Sequence, residues 1–413
     1  MRAVIVSDFG SVNGGAAKVA IESARGLAEA GLEIVFACAV GPVSERLNHP
    51  RISVEMFNGE EIWRVGGRIA AAQQGVWNAP AHAFLTKLLA RQPRGGTIVH
   101  LHQWTKAFSP SAIAAAGESG LPVALTLHDY FAFCPVGGYF DFRAGAPCEH
   151  KPMSFGCITA NCDRASYVHK LVRLARQWRS DEALRSLRAP LFIHVSAFAR
   201  RFAESFLPRQ GRHLVIENMI GGAHDAPADV AANRHALYLG RFTEEKGVLM
   251  LARACALAGL PLRLVGEGEP GIKAEIARLN PDAQFAGWVD ARAAVAELRA
   301  ARCLAAPSLW YETGPMTAPE AMALGVPVVL AREMGASARI DDRRNGMVFA
   351  TGDEAGLVQA LREMADPQTA RRLGLRAHAD YWADPLTLAR HVGRLVAAYS
   401  LVAGAEALPA ATA

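Results

Sequence analysis

Two carboxylates stand eight positions apart in "WYETGPMTAPEAMALG", residues 310–325. Glu312 lies on a stretch rich in Gly and Pro, and Glu320 lies where an apolar helical pattern begins. An ionised carboxylate accepts hydrogen bonds from neighbouring hydroxyls, as a sugar or ribose diol requires. The small residues beside Glu312 leave the backbone N–H groups from Thr313 through Gly314, Pro315 and Met316 to Thr317 open to hydroxyls or phosphate, Pro315 excepted. Pro319 and Glu320 suit the first turn of a helix, where the dipole favours an acid. Upstream, "YLGRFTEEKG" places Arg241 and Lys246 just past an apolar run that ends at Gly240. Two cations on a loop at a strand's carboxyl end make a diphosphate clamp. Singly, each feature reads as well as a solvated loop acid, a dipole-complementing acid or surface charge.

A third candidate is "VSDFGSVNGGAAKVA" near the start of the chain. Gly14 and Gly15 let a ligand approach the backbone closely, and the next helix aims its N-terminus there. The spacing is not GxGxxG, which disfavours an NAD-dependent dehydrogenase, and the stretch also reads as a tight strand-to-helix turn.

These residues need a frame. Short apolar runs alternate with longer Ala-, Leu- and Arg-rich stretches: "AVIVS", "EIVFACAV", "TIVHLH", "PVALTLH" and "LFIHVS", then "ALYLG", "LRLVGEG", "AQFAGWV", "CLAAPS", "PVVLA" and "GMVFA". Strands alternating with helices imply α/β domains with parallel sheets covered on both faces. The series runs twice, with a break crowded by Ala, Gly, Pro and Asp at 221–233. The expected organisation is an N-terminal Rossmann-like domain over 1–220, a second over 221–384, and a C-terminal helix from 385 that returns to the first domain. The tail "AGAEALPAATA" reads as frayed. Two facing doubly wound domains would leave a cleft at the carboxyl ends of their strands, where such sheets bind ligands.

Composition narrows the class. The chain has 413 residues, enough for two domains, and a formal net charge of +5, too mild for a nucleic-acid binder. "MRAVIVSDFG" has too short an apolar run for a signal peptide, and no run is long enough to cross a membrane. The expectation is a cytoplasmic protein with reduced cysteines. Four of its seven cysteines, Cys134, Cys148, Cys157 and Cys162, fall within one insertion, separated by 13, 8 and 4 residues. That density points to a structural, non-catalytic zinc site, although the spacing is not a CxxC knuckle and loop thiols without metal fit too. Next to it, "RASYVHKLVRLARQWRSDEALRSLR", within 164–188, reads as a basic amphipathic helix. It carries Arg164, Lys170, Arg173, Arg176, Arg179, Arg185 and Arg188 beside Leu171, Leu174 and Trp178. Such a helix can rest on an anionic membrane, or simply present a solvated face.

Taken together, the motifs carry a resemblance. Glu312 and Glu320 in "ETGPMTAPEAMALGVPVV", with "GRFTEEKG", "LVGEGEP" and "FAGWV" before them, resemble family 4 of the retaining glycosyltransferases. "HLHQW", "TLHDYFAFCP", "VSAFARRF" and "VIENMI" follow the same family's order in the first half, so the resemblance spans nearly the whole chain. It implies the GT-B fold, with two facing Rossmann-like domains and no catalytic metal. It also implies roles. Arg241 and Lys246 would hold the donor's diphosphate, Glu320 the nucleotide ribose, and Glu312 with the 313–317 amides the donor sugar. His128 would sit at the anomeric centre, Gly14 and Gly15 on the phosphate and acceptor side, and His102 and Trp104 on the acceptor side. The implied reaction moves a hexose from a UDP- or GDP-linked sugar to a saccharide or lipid-linked acceptor, with no cofactor required. Same-face displacement and a covalent intermediate both remain open. A nucleotide-sugar epimerase of this fold and a non-catalytic sugar-nucleotide scaffold are the alternatives.

Overall fold

The computed structural model describes residues 1–403, and the expected frayed tail past Ala403 lies outside them. The chain divides into two compact units. The first comprises 1–139, 149–219 and the stretch from Leu386 onward; the second comprises 140–148 and 220–385.

In the first unit the strands are β1 (Arg2–Phe9), β2 (Glu33–Val40), β3 (Ile52–Met56), β4 (Thr97–Leu101) and β5 (Val123–Leu127). A hairpin, β6 (Phe140–Asp141) and β7 (Ala146–Pro147), follows within the cysteine-bearing insertion and belongs to the second unit. The first unit resumes with β8 (Leu191–His194) and β9 (Arg212–Val215). Its helices are α1 (Gly15–Glu29), α2 (Arg68–Val76), α3 (Ala79–Ala90), α4 (Ser111–Glu118), α5 (Phe155–Thr159), α6 (Tyr167–Ser186) and α7 (Ala197–Ala203). The sheet order is β3-β2-β1-β4-β5-β8-β9, and every pairing is parallel. The order reverses between β1 and β4, the point at which doubly wound sheets open a ligand crevice.

The second unit repeats the plan. Its strands are β10 (Ala236–Leu239), β11 (Leu262–Val265), β12 (Gln284–Gly287), β13 (Cys303–Ala306), β14 (Val328–Ala331) and β15 (Met347–Phe349). Its helices are α8 (Val248–Ala258), α9 (Pro270–Leu279), α10 (Ala291–Arg299), α11 (Thr317–Ala323), α12 (Glu354–Ala365) and α13 (Pro367–Ala383). The parallel order β12-β11-β10-β13-β14-β15 reverses between β10 and β13.

The last helix, α14 (Leu388–Ala403), is part of the first unit. Its Val392, Leu395, Ala398 and Tyr399 join one core with Ile5, Leu27, Phe36 and Ile98. Each large apolar side chain buried in this way contributes about 1.5–3 kcal/mol. The close crossing needs Gly26 on α1. A Cβ there would stand 2.6 Å from Val392 Cγ2 and 3.0 Å from Leu388 Cδ1.

One expectation from sequence is corrected here. Lys170 and Arg176 do not lie on a solvated basic face, because both are buried on α6. The Lys170 ammonium donates to the carbonyls of Cys157 and Ala160 and lies 3.1 Å from Cys162 Sγ. Arg176 donates to the carbonyl of Pro135 at 2.6 Å and stacks on Phe131. Charge at these two positions is spent on closing the insertion against the helix. The same insertion carries the four cysteines expected to hold a structural zinc. Among the described residues, no group of three or more His, Cys, Asp or Glu is disposed to hold a metal ion. Cys134, Cys157 and Cys162 are buried and Cys148 is half-buried, and Cys162 has the Lys170 ammonium beside it.

Candidate active site

In the second unit, β10 and β13 end side by side at the point where the strand order reverses. Beyond them lies a cavity of about 260 Å³. Gly240, Arg241, Lys246, Glu312, Met316 and Glu320 all line it, with Pro315 and Thr317. Thr313 is buried beside Glu312 and is not among the lining residues. A slightly larger hollow, about 310 Å³, lies in the first unit around Arg2, Glu33, Arg51 and Ser53. It sits by the amino ends of β1, β2 and β3, the wrong end of a parallel sheet for a ligand site.

Local chain geometry explains how two distant motifs meet in the first of these cavities. Residues 244–246 form a single 3-10 turn, and Gly247 stops it with φ +71. An added Cβ at Gly247 would fall 2.0 Å from the Pro307 carbonyl oxygen. Glycine therefore lets the turn that carries Lys246 press against the loop that follows β13. The same contact is tied by Leu309 N–H donating to the Glu245 carbonyl at 2.9 Å. Gly266 does the same for β11, since a Cβ there would fall 2.0 Å from the Gly240 carbonyl oxygen.

Across that contact, Lys246 Nζ pairs with Glu312 Oε2 at 2.9 Å. Ser308 Oγ donates to the other carboxylate oxygen. The Lys246 ammonium also lies over the Trp310 ring, 5.1 Å from its centre. Gly335 N–H donates to the Glu312 carbonyl at 2.7 Å, so both ends of this residue are held. Tyr238 OH donates to the Arg241 carbonyl at 2.7 Å and sets the start of the cation loop. Burial, and then the Glu312 charge, hold that phenol well above its ordinary pKa, so it stays a neutral donor. Arg241 itself is exposed at the cavity rim. Glu320 enters from the first turn of α11. Ser308 and Tyr238 were not singled out from the sequence. The Ser four residues before Glu312 was its only signal.

In the first unit the matching strand ends are those of β1, β4 and β5. Gly14 caps α1, whose N-terminus has no side-chain cap and no acid in its first turn; Gly15 begins the helix. His102 follows β4 and His128 follows β5. His102 Nδ1 lies 3.1 Å from His128 Nε2. His102 and Trp104 are buried, 3% and 4% exposed, while His128 is half-buried. Burial, with His391 adding to it, pushes His128 down to about 3, so its imidazole is neutral. Asp8, at the end of β1, anchors this loop. Its carboxylate accepts from the backbone N–H groups of Lys106, Ala107 and Phe108 at 2.7–3.0 Å. Burial still raises its pKa against those three bonds. Sequence reading passed over Asp8, although an acid directly behind an apolar run was visible.

Two parallel doubly wound sheets, each with its polar groups at the strands' carboxyl ends, place the chain in the GT-B fold. Its likeness to solved structures covers nearly the whole chain. Sucrose-phosphate synthase from Thermosynechococcus elongatus matches with a TM-score of 0.71 at 18% identity, over 98% of this chain and 100% of that one. A glycosyltransferase from Rickettsia africae matches with a TM-score of 0.67 at 15% identity, over 97% and 98%. Anabaena HepE in complex with UDP-glucose matches with a TM-score of 0.65 at 16% identity, over 97% and 100%. At the level of sequence families, residues 13–220 match Glycosyltransferase Family 4 and residues 233–366 match Glycosyl transferases group 1. The chain belongs to glycosyltransferase family 4. A phosphatidyl-myo-inositol mannosyltransferase from Mycobacterium leprae is 33% identical over 133 residues, which span 30% of this chain and 35% of that protein.

Proposed function

We propose that the chain moves a hexose from a nucleoside diphosphate sugar to a saccharide acceptor, retaining the anomeric configuration and using no catalytic metal. The observation that carries this reading is the cavity beyond β10 and β13, where Arg241, Lys246, Glu312 and Glu320 converge. Breaking a sugar–phosphate bond leaves negative charge on the diphosphate. Preorganised cations stabilise that charge without reorganising as the bond breaks. Lys246 and Arg241 take that role, Glu312 accepts from hydroxyls of the sugar, and Glu320 accepts from those of the ribose. Membership of family 4 supports retention. HepE, which was solved with UDP-glucose, supports a nucleotide-sugar donor.

The acceptor is lipid-linked in this reading, and the chain meets it from the membrane surface. Among the described residues no helix is long and apolar enough to cross a membrane. The first unit does expose Phe155 on α5 and Val168 and Leu171 on α6, with Arg164 near them in sequence. Apolar side chains set among cations suit peripheral contact with anionic lipid. The name of the M. leprae relative, a phosphatidyl-myo-inositol mannosyltransferase, supports the same class of acceptor.

Calorimetric titration with UDP-glucose, GDP-mannose and related donors tests the reading, on the wild type and on Lys246→Ala. One donor binds the wild type, and the variant weakens it by about tenfold or more. Absence of binding by every donor overturns it.

A further inference from the structure

His102 stands in an unusual position for a residue on the acceptor side, because its ring is inside the fold. It is 3% exposed, and its backbone N–H is held by the Val6 carbonyl at 2.9 Å. Its ring lies between two others, tilted to one and stacked on the other. His100 lies 4.1 Å away, centre to centre, and His128 lies 5.3 Å away with the planes 26° apart. His100 is itself fixed, with Nδ1 2.6 Å from Tyr399 OH on α14 and Nε2 2.7 Å from Thr126 Oγ1. One hydrogen bond joins His102 to His128, between His102 Nδ1 and His128 Nε2 at 3.1 Å.

With both rings neutral, a single proton occupies that bond, and there are two ways to place it. If His128 Nε2–H donates, His102 Nδ1 is the acceptor and His102 must carry its own proton at Nε2. That nitrogen is buried and has no partner among the described residues. It would then be an orphaned N–H donor, the rarest kind of unsatisfied buried group. If His102 Nδ1–H donates instead, its Nε2 keeps only a lone pair without a donor, a smaller loss. His128 then accepts at Nε2 and carries its proton at Nδ1.

We propose that His102 is a positioning residue: it fixes His128 as the neutral tautomer protonated at Nδ1, with the Nε2 lone pair consumed inside the fold. His128 therefore enters the chemistry as a hydrogen-bond donor. It does not act as a general base through Nε2, and it does not act as an imidazolium. This is the second-residue logic by which one partner decides what the other ring nitrogen can do. The low pKa that burial gives both rings agrees with neutral imidazoles. The tautomer stands on geometry alone; its consequence for transfer rests on the proposed reaction.

The test is two-bond proton–nitrogen correlation of the full chain labelled with 15N-histidine, with no donor added. The His102 and His128 signals are assigned from His102→Asn and His128→Asn. The expected spectrum shows both rings neutral and protonated at Nδ1. A wild-type His128 protonated at Nε2 overturns the proposal. Two variants extend the test to turnover. His102→Asn places an amide N–H where the ring N–H stood, so it keeps the His128 tautomer and recovers most of the kcat that His102→Phe loses. His102→Phe keeps a stacked ring but no donor. It lets the His128 proton redistribute and lowers kcat by about tenfold or more with the donor KM little changed. A His102→Phe protein whose His128 remains protonated at Nδ1 also overturns it. If the chain transfers no sugar at all, the spectra still decide the tautomer, and the failure then belongs to the functional reading.

Discussion

Lys246 Nζ and Glu312 Oε2 face each other at 2.9 Å on the wall of the cavity beyond β10 and β13, and each is mostly shielded from water. In the proposed reaction, a diphosphate must compete with Glu312 for Lys246, and a sugar hydroxyl must compete with Lys246 for Glu312. The two ligand contacts are thereby linked. A ligand that offers only one of them leaves the other charge unpartnered in a shielded place, which is costly. A free nucleoside diphosphate should therefore bind Glu312→Gln about tenfold more tightly than wild type, because the neutral amide releases the lysine. Transfer should fall by about a hundredfold in the same variant, since the carboxylate's contact to the sugar is lost. Titration with the nucleotide and a single-turnover assay check the two halves. Equal nucleotide affinity in both proteins removes the competition.

Ser308 should act through this pair without touching the diphosphate. It is buried and donates to the carboxylate oxygen that Lys246 does not hold. A hydrogen bond to a charged group is worth about 1.5–3 kcal/mol. Ser308→Ala should therefore cost about tenfold in kcat or more, and Ser308→Thr, which keeps the hydroxyl, should recover most of it. Steady-state kinetics on both variants separate the hydroxyl's role from simple packing.

Gly247 makes the meeting of Lys246 and Glu312 possible. Gly247→Ala combines a left-handed φ with a Cβ placed on a backbone carbonyl, which has no flexible end to swing away. The left-handed conformation alone costs about 1–2 kcal/mol, and the clash adds to it. Thermal unfolding of the variant should show a clear loss, and its donor affinity should fall with it. A variant that melts like the wild type and binds donor normally would show that the loops can separate without consequence.

How far the sequence speaks for itself differs from element to element. Strands buried on both faces, such as β1, β4, β5, β10 and β13, are continuous apolar runs and are read directly. Within the two large sheets, the strands that escaped reading are β3 and β9, which form the two opposite edges of the first sheet. Their "ISVEM" and "RHLV" are only half-buried, so no apolar run marks them. Glu312 and Lys246 were each visible as a motif. Their pairing was not, because it depends on how closely Gly247 lets one loop approach another. Lys170 and Arg176 show the opposite limit. A cation that satisfies buried carbonyls looks, in one dimension, like a cation in water.

The buried histidines set the acid stability of the first unit, and the sign follows from their environment. Burial pushes His100, His128 and His194 each down to about 3, against an ordinary 6.5. Between those values the unfolded chain binds protons that the folded chain refuses. Their contribution is complete above about pH 6.5 and is lost as the pH falls, at about 1.4 kcal/mol per pH unit for each group. Asp129 opposes this. Burial pushes its carboxyl up to about 6, so the folded chain keeps that proton longer and gains relative to the unfolded chain as the pH falls through 6. His102, His213 and His391 are lowered too, and Asp8 and Asp181 are raised, so six histidines face three carboxyls, and urea unfolding should show stability dropping between about pH 6.5 and about pH 5, before ordinary carboxylates titrate. Asp129→Asn should steepen the drop, and His194→Asn should flatten it by about one proton. Stability that holds level or rises over that interval would mean that these imidazoles are not kept neutral by the fold.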